Sequence, residues 1–348
     1  MSAARQIRFG VIGAGLWGEV HAEIYSQHPY ARLVAVCDAD AARAQKVAAA
    51  HGGVRACTDF RELAGDPEVD AVAVVTPDFA HREPILAAAR AGKHVITEKP
   101  LATTAEDAEA IAAAVRAAGI TLMVDFHARW NPPFAIARRN IEEGTLGRIL
   151  SAYFRLNDTI YVPTKMLSWA ASSSILWFLG SHTVDTLRFL LADEVERVYS
   201  VSRAGVLKER GIDVPDLYQS ILEFRSGVVA TIENNWVIPN SHPAVNDFKV
   251  NILGSKGMIN MDLTNNQLIE RYLEASSDHP DCIVKPQVRD KHVGFAYESI
   301  RDFVECLALG KPVQVGLEDG LRVTRVVLAI MESARTGRPV TVRYPGQE

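Results

Sequence analysis

No CxxC pair occurs in this 348-residue sequence, and none of its four cysteines (Cys37, Cys57, Cys282, Cys306) lies near a histidine at zinc spacing. That argues against the common zinc modules and against a disulfide framework; four reduced, mostly buried thiols are expected. HExxH is missing as well, and no metal site is expected. No apolar run reaches the roughly 18 residues that a membrane span requires. The opening MSAARQIRFG lacks the apolar core of a secretory signal, so the expected address is the cytoplasm. A basic excess is absent too. The formal net charge is -5, which speaks against a nucleic-acid partner. Internal repeats, low-complexity tracts and a flexible linker are also lacking. What remains is a globular composition, 48% hydrophobic and 23% charged, with length enough for about two domains.

Residues 1–125 alternate short apolar runs with alanine-rich stretches. The runs are Ile7–Ile12, Leu33–Cys37, Ala71–Val75, His94–Thr97 and Leu122–Val124. Most are apolar without alternation, as strands covered on both faces must be. Between them Val20–His28, Ala39–Ala50, His81–Ala91 and Thr104–Ala118 combine good helix formers with an apolar stripe. Gly92 and Gly119 stand at C-capping positions. The alternation predicts an α/β domain built on a doubly wound parallel sheet, a Rossmann domain over 1–125. Beyond it, over 126–348, the texture changes. Pro132 and Pro133 precede a helix, Phe134–Glu143; Arg148–Asn157 reads as a strand and Ser174–Leu191 as one long helix. Short strands follow at Val195–Arg203, Leu217–Phe224, Val228–Val237, Phe248–Leu253 and Met258–Asp262, with tight turns at Arg225–Gly227 and Gly254–Gly257. Helices Tyr297–Leu309 and Leu317–Thr336 close the chain. This predicts an α+β domain with a mostly antiparallel sheet.

The first strand runs into Gly13-Ala-Gly15-Leu16-Trp17-Gly18, a GxGxxG that opens a helix. The first glycine permits the tight turn, the second lets backbone approach a pyrophosphate, and the third lets helix and strand pack closely. Free N–H groups at the helix start then face the phosphates. Asp38 ends the second strand, 20 residues past Gly18. An acid there bonds both ribose hydroxyls and repels a 2′-phosphate, which favours NAD over NADP. Asp38 would equally serve as an N-cap for a helix from Ala39, and Arg43 could attract a phosphate.

Thr76-Pro77-Asp78-Phe79-Ala80-His81 follows the strand Ala71–Val75, and Glu98-Lys99-Pro100 follows His94–Thr97. In a doubly wound sheet both belong at the carboxyl edge, where ligands bind. GxGxxG, Asp, TPxxxH and EKP in this order resemble the glucose–fructose oxidoreductase/inositol dehydrogenase (Gfo/Idh/MocA) family. Arg129-Trp130-Asn131-Pro132 is similar to its RF(N/D)P segment, Gly180-Ser-His182-Thr-Val-Asp185 to its GxHxxD, and Gly254-Ser-Lys-Gly257 to a turn of its C-terminal sheet. The resemblance implies NAD(H) or NADP(H) chemistry on sugars, inositols and related diols. It also implies a large C-terminal sheet that pairs subunits into a homodimer or homotetramer.

It implies cofactor contacts at Gly13, Gly15, Leu16, Trp17, Asp38, Thr76, Pro77, His81, Glu98 and Lys99. Lys99 is the leading catalytic candidate, because a lysine beside the nicotinamide stabilises charge developing on the reacting oxygen. His182 is the candidate base for alcohol oxidation, with an ordinary pKa near 6.5 that suits the task. Without the resemblance His182 reads as a core histidine. Dehydrogenases of the family usually carry Asp four residues before this His; here Phe178 stands there, and Ser173-Ser174 replaces a Gly-Gly pair. Phe178 implies a less polar substrate, a reaction run mainly as ketone reduction, or altered catalysis. His127, Arg129, Arg155, Asn157, Tyr161, Lys165, Trp169 and Trp236 are further candidates for a polyol's hydroxyls and C–H faces, each also readable as packing or loop. Tyr161–Ser173 reads as an irregular loop where specificity would reside. Two other activities stay open: glycoside cleavage with retained NAD, and a non-catalytic dinucleotide-binding regulator.

Overall fold

The apolar runs become six parallel strands in the computed structural model, which describes residues 5–264, 268–289 and 291–344. They are β1 (Ile7–Ile12), β2 (Ala31–Cys37), β3 (Arg55–Cys57), β4 (Ala71–Val74), β5 (His94–Thr97) and β6 (Leu122–Val124). Their order is β3-β2-β1-β4-β5-β6, so the chain reverses its direction of travel between β1 and β4. That reversal opens the crevice in which doubly wound folds hold ligands. Helices α1 (Leu16–Gln27), α2 (Ala41–Ala50), α3 (Phe60–Ala64), α4 (Arg82–Arg90) and α5 (Ala105–Ala118) connect the strands. Phe9, Val11, Val72, Val74, Val95 and Ile96 are fully buried, as strands covered on both faces require. The short β3 and α3 escape the sequence reading because neither is long enough to show a period. Gly92 and Gly119 adopt φ of +69° and +64°, the left-handed geometry of a helix exit.

The chain divides into two units. One is Met1–His127 with Tyr297–Thr324, the other Ala128–Ala296 with Arg325–Glu348. The first unit therefore takes up a late segment that a single border at residue 125 leaves with the second. In that segment Val315 accepts a bond from the Val124 amide, and Gly320 lies so close to Leu101 and Val124 that a Cβ would meet them within 2.9 Å.

The second unit is built on seven strands: β7 (Ile149–Asp158), β8 (Val195–Arg203), β9 (Leu217–Phe224), β10 (Val229–Asn235), β11 (Asn246–Gly254), β12 (Met258–Asp262), and the edge strand Val340–Thr341. Their order is β12-β11-β7-β10-β9-β8-edge, antiparallel throughout except for β7 beside β10. Ala152, Phe154 and Leu156 of β7 face the core, where Phe154 stacks with Phe134 of α6 (Pro132–Glu142) at 6.2 Å. The opposite face leaves Tyr199, Ile221, Val229, Leu253 and Met258 each more than 40% exposed. Helix α7 (Ser181–Leu191) follows a π-wound turn, Leu176–Gly180. The long helix expected over Ser174–Leu191 is thus real but changes pitch. Ser181 and Thr183 donate to the carbonyls of Trp177 and Leu179, which absorbs the disturbed bonding. The expected loop Tyr161–Ser173 also contains ordered turns, a π turn at Val162–Met166 and a 3₁₀ turn at Ala170–Ser172.

Candidate active site

Each glycine of the first turn has a separate reason to be glycine. Gly13 has φ +106°, and a Cβ would lie 2.5 Å from the Val75 carbonyl at the end of β4. At Gly18 a Cβ would meet the Gly13 carbonyl at 2.0 Å. Gly15, by contrast, faces open space, with nothing within 4 Å of a built Cβ. It is also the N-cap of α1 and supplies no capping side chain, so the helix N–H groups are left for a ligand. This cradle fits a dinucleotide pyrophosphate. Leu16 is 56% exposed beside it, and Trp17 stacks on His127 at 5.4 Å.

Asp38 accepts the Ala14 amide at 2.7 Å and the Asp40 amide at 2.8 Å, and its carboxylate is half-buried at the end of β2. The capping duty belongs to Asp40, which accepts the Ala42 and Arg43 amides and delays the helix start to Ala41. Arg43 pairs with Asp40 at 3.1 Å. Asp38 is thereby not the cap.

After β4, Thr76 and Pro77 are half-buried, and Thr76 donates to the Ala80 carbonyl. His81 corrects an expectation. It is buried, with Nδ1 2.7 Å from the Pro100 carbonyl and Nε2 3.0 Å from the Thr76 carbonyl. Both ring nitrogens are occupied by backbone, so His81 ties the two cofactor-side turns together and does not reach a ligand itself. Glu98 is likewise buried, 3.9 Å from His21, and accepts the Lys99 backbone amide at 3.3 Å. Lys99 is half-buried at the end of β5, before a cis peptide bond to Pro100. It stands on the same sheet edge as the glycine turn, two strands from β1. His127 is held neutral: burial lowers its pKa to about 4.

In the second unit the structure brings two distant motifs together. Arg129 grips Asp185 bidentately, Nε to Oδ2 at 2.9 Å and Nη2 to Oδ1 at 2.6 Å, with the acid 1% exposed. Arg129, expected at the substrate, instead fastens α7 in place. His182 is half-buried between the buried Ser181 and Thr183. Gly180 lets the π turn close: a Cβ would lie 2.8 Å from Leu176 and 3.3 Å from Asn234. Phe178 sits in a line of rings, 6.2 Å from Trp169 and 5.9 Å from Trp236. Trp236 is fully buried and backs this wall; it does not touch a substrate. Asn157 is also fully buried, donating to Glu233 at 2.7 Å and accepting the Asn235 amide at 2.9 Å. Arg155 pairs with Asp247 at 2.7 Å. Both expected polyol ligands of β7 are thus engaged in the sheet, because period-2 spacing gives a face but not what covers it. Tyr161 is 47% exposed. Lys165 lines an open cavity of about 440 Å³ with Ile160, Thr164, Arg210, Ile212 and Asn240. Sequence reasoning missed His21, Tyr25 and Asp125, which are buried around Glu98; only the position of Asp125 just past a strand end hinted at it.

The Rossmann half of an oxidoreductase family matches residues 7–126 (NAD-binding Rossmann fold), and that family's C-terminal alpha/beta domain matches residues 138–342. The chain belongs to the Gfo/Idh/MocA family. It is 30% identical to the scyllo-inositol 2-dehydrogenase (NAD(+)) of Bacillus subtilis, with 96% of both chains covered. It is 29% identical to the levoglucosan dehydrogenase of Pseudarthrobacter phenanthrenivorans, covering 95% of this chain and 96% of the relative. The crystal structure of an oxidoreductase domain protein from Kribbella flavida matches with a TM-score of 0.82 at 27% identity, over 97% of this chain and all of the other. The protein is an NAD-dependent oxidoreductase. No helix among the described residues is long and apolar enough to cross a membrane.

Proposed function

We propose that the protein moves a hydride between NAD and a secondary alcohol or ketone on a ring polyol or sugar. The observation that carries this reading is Lys99, half-buried on the carboxyl edge of the sheet that also presents the glycine turn. Gly13, Gly15, Leu16, Trp17, Asp38, Thr76 and Pro77 hold the dinucleotide. NAD, when bound, supplies the hydride acceptor. The Lys99 ammonium donates a hydrogen bond to the reacting oxygen and stabilises charge growing there. His182 takes the hydroxyl proton, since its side chain is half-buried where its neighbours are fully buried.

The substrate class draws on the relatives named for scyllo-inositol and levoglucosan. Phe178 narrows it. Trp169 and Phe178, backed by the buried Trp236, offer an apolar surface one turn before His182, where a carboxylate would otherwise orient the base. A ring with an exposed C–H face, such as an anhydrosugar or a partly deoxygenated polyol, suits that wall better than a fully hydroxylated inositol. Retained-NAD glycoside cleavage and pure regulation find no support in the named relatives. The open face of the seven-stranded sheet, with its exposed Tyr199, Ile221, Val229, Leu253 and Met258, is assigned to pairing with a second copy into a dimer or tetramer. All four cysteines are thiols, in keeping with a cytoplasmic address.

The test is a 340 nm assay with NAD over inositols, aldoses, anhydrosugars and ketosugars in both directions. Turnover highest on anhydrosugars or deoxygenated rings supports the reading. Demonstrated NAD binding with no absorbance change on any of them refutes it.

A further inference from the structure

Beneath Lys99 lies a closed cluster of titratable groups that the reaction above does not use. His21 and Asp125 are 0% exposed and Glu98 is 7% exposed. One ligand atom from each lies within 4.8 Å of the other two. His21 Nε2, Glu98 Oε1 and both Asp125 carboxyl oxygens make no direct hydrogen bond within standard limits. Tyr25, one turn along α1, is stacked flat on Phe9 at 4.0 Å and bonds His21 Nδ1 at 2.9 Å. Burial and the carboxylates nearby keep Tyr25 a phenol, whose O–H is available to donate to Nδ1. That donation goes with a proton on Nε2, which lies 3.9 Å from Glu98 Oε1.

The three groups are close enough to share one small ligand. Three atoms no more than 4.8 Å apart share a point no farther than 4.8/√3, or about 2.8 Å, from each, within hydrogen-bond reach of one water. Zinc would need a bare imidazole nitrogen, and an Nε2 that carries a proton does not supply one. Two carboxyls this close, both out of water, cannot both stay charged. Their surroundings separate them. Glu98 has His21 before it and Lys99 beside it in the chain; Asp125 faces Glu98's charge from the end of β6.

We propose that His21, Glu98 and Asp125 form a buried proton-sharing site that binds a single water and keeps Asp125 protonated and Glu98 ionised beneath Lys99. The water accepts from His21 Nε2–H and from the Asp125 carboxyl O–H, and donates to Glu98. Across it one proton passes between the two carboxyls: the Asp125 O–H breaks as an O–H to Glu98 forms, and the total charge is unchanged. The pair carries one negative charge against the Lys99 ammonium, which holds Lys99 charged and in position. The charged and titratable groups facing the cluster are His21 and Tyr25 on α1, Lys99 after β5, and His127 after β6, with Ser299 the hydroxyl from the helix Phe295–Leu309. Burial and the charge of Glu98 push the Asp125 carboxyl well up, while Ser299 and Lys99 pull it back. Burial opposes the charge on Glu98, but the nearby His21, His127 and Lys99 together prevail and its carboxyl lies below the usual range.

The role for Lys99 rests on the function proposed above; the proton on Asp125 does not. The deciding measurement is infrared difference spectroscopy of the NAD-loaded enzyme and of Asp125→Asn and Glu98→Gln. The wild type should show a protonated-carboxyl band near neutral pH, and Asp125→Asn should lack it. In Glu98→Gln the band should titrate away at lower pH, because the charge that raises Asp125 is gone. Asp125→Asn replaces a neutral group with a neutral isostere, so it should fold and keep kcat within about threefold. Glu98→Gln should move the basic limb of the kcat–pH profile down by about one unit. No protonated-carboxyl band in the wild type, a band that survives Asp125→Asn, or one stoichiometric divalent cation in metal analysis would overturn the proposal. Infrared changes as expected with an unmoved pH profile would leave the site intact and remove Lys99 from the chemistry.

Discussion

Arg129 separates a substrate ligand from a clamp, and one substitution tells which it is. The Arg129→Leu variant leaves Asp185 1% exposed without its bidentate partner. Breaking a buried ion pair costs about 3–5 kcal/mol, because the remaining charge stays out of water. Arg188 Nη1 stands 3.8 Å from Asp185 Oδ1 and still compensates in part, although its main bonds go to Glu194 at 2.8 Å. The low end, about 3 kcal/mol, is therefore expected. In a unit of this size that lowers Tm by about 6–12 °C, at 2–4 °C per kcal/mol. Circular dichroism melts of wild type, Arg129→Leu, Asp185→Asn and the double variant measure it. The double variant should recover part of the loss, since it buries no orphaned charge. KM should change little in whatever activity remains at low temperature. An Arg129→Leu variant melting within about 2 °C of wild type, with KM raised tenfold or more, would refute the clamp and return Arg129 to the substrate.

Lys99→Ala should lower kcat at least about 10²-fold with NAD affinity nearly unchanged, and His182→Ala should cost less because Phe178 leaves that base without an acidic partner; steady-state kinetics and fluorescence titration with NADH check both. Asp38→Ala should weaken NAD binding and narrow the preference over NADP to within about tenfold, read from the two Kd values; an unchanged ratio would remove Asp38 from the ribose. Acid should destabilise the fold below about pH 6.5, where an unfolded histidine protonates. Burial holds folded His127 at about 4 and also lowers His28, His51 and His94, so between these values the unfolded chain binds protons that the native chain does not. Their stabilisation is complete above that window and lost as pH falls through it, with up to about 3 kcal/mol from His127. His127→Phe should flatten the fall of Tm between about pH 6.5 and 4.

How much of this was legible in the chain differs by element. The parallel sheet was, because strands buried on both faces cannot alternate polar with apolar, and β1, β4 and β5 do not. The glycine turn was legible for a similar reason: where a Cβ would lie 2.0 Å from a carbonyl oxygen only glycine fits, as at Gly18. β3 and α3 were too short to carry a period, and the π turn at Leu176–Gly180 leaves no mark in helix-forming residues. The substrate candidates fared differently from the cofactor candidates. Arg129, Arg155 and Asn157 have the right chemistry for hydroxyl groups, yet each is committed to Asp185, Asp247 or Glu233. A sequence shows which groups can bond but not which bonds are already made.

By itself, then, the sequence determined the architecture and the cofactor class, since each rests on local constraints: burial period, backbone space at glycine, and residue types at fixed offsets from a strand end; Lys99 and His182 it nominated as candidates. Only the tertiary structure decided which polar groups remain available. Asp40 rather than Asp38 caps α2; His81 faces two carbonyls; and His21, Glu98 and Asp125, drawn from α1, β5 and β6, converge within 4.8 Å. Those outcomes depend on distances between residues far apart in the chain, and on how burial divides a charge among them. Neither quantity exists until the strands are paired.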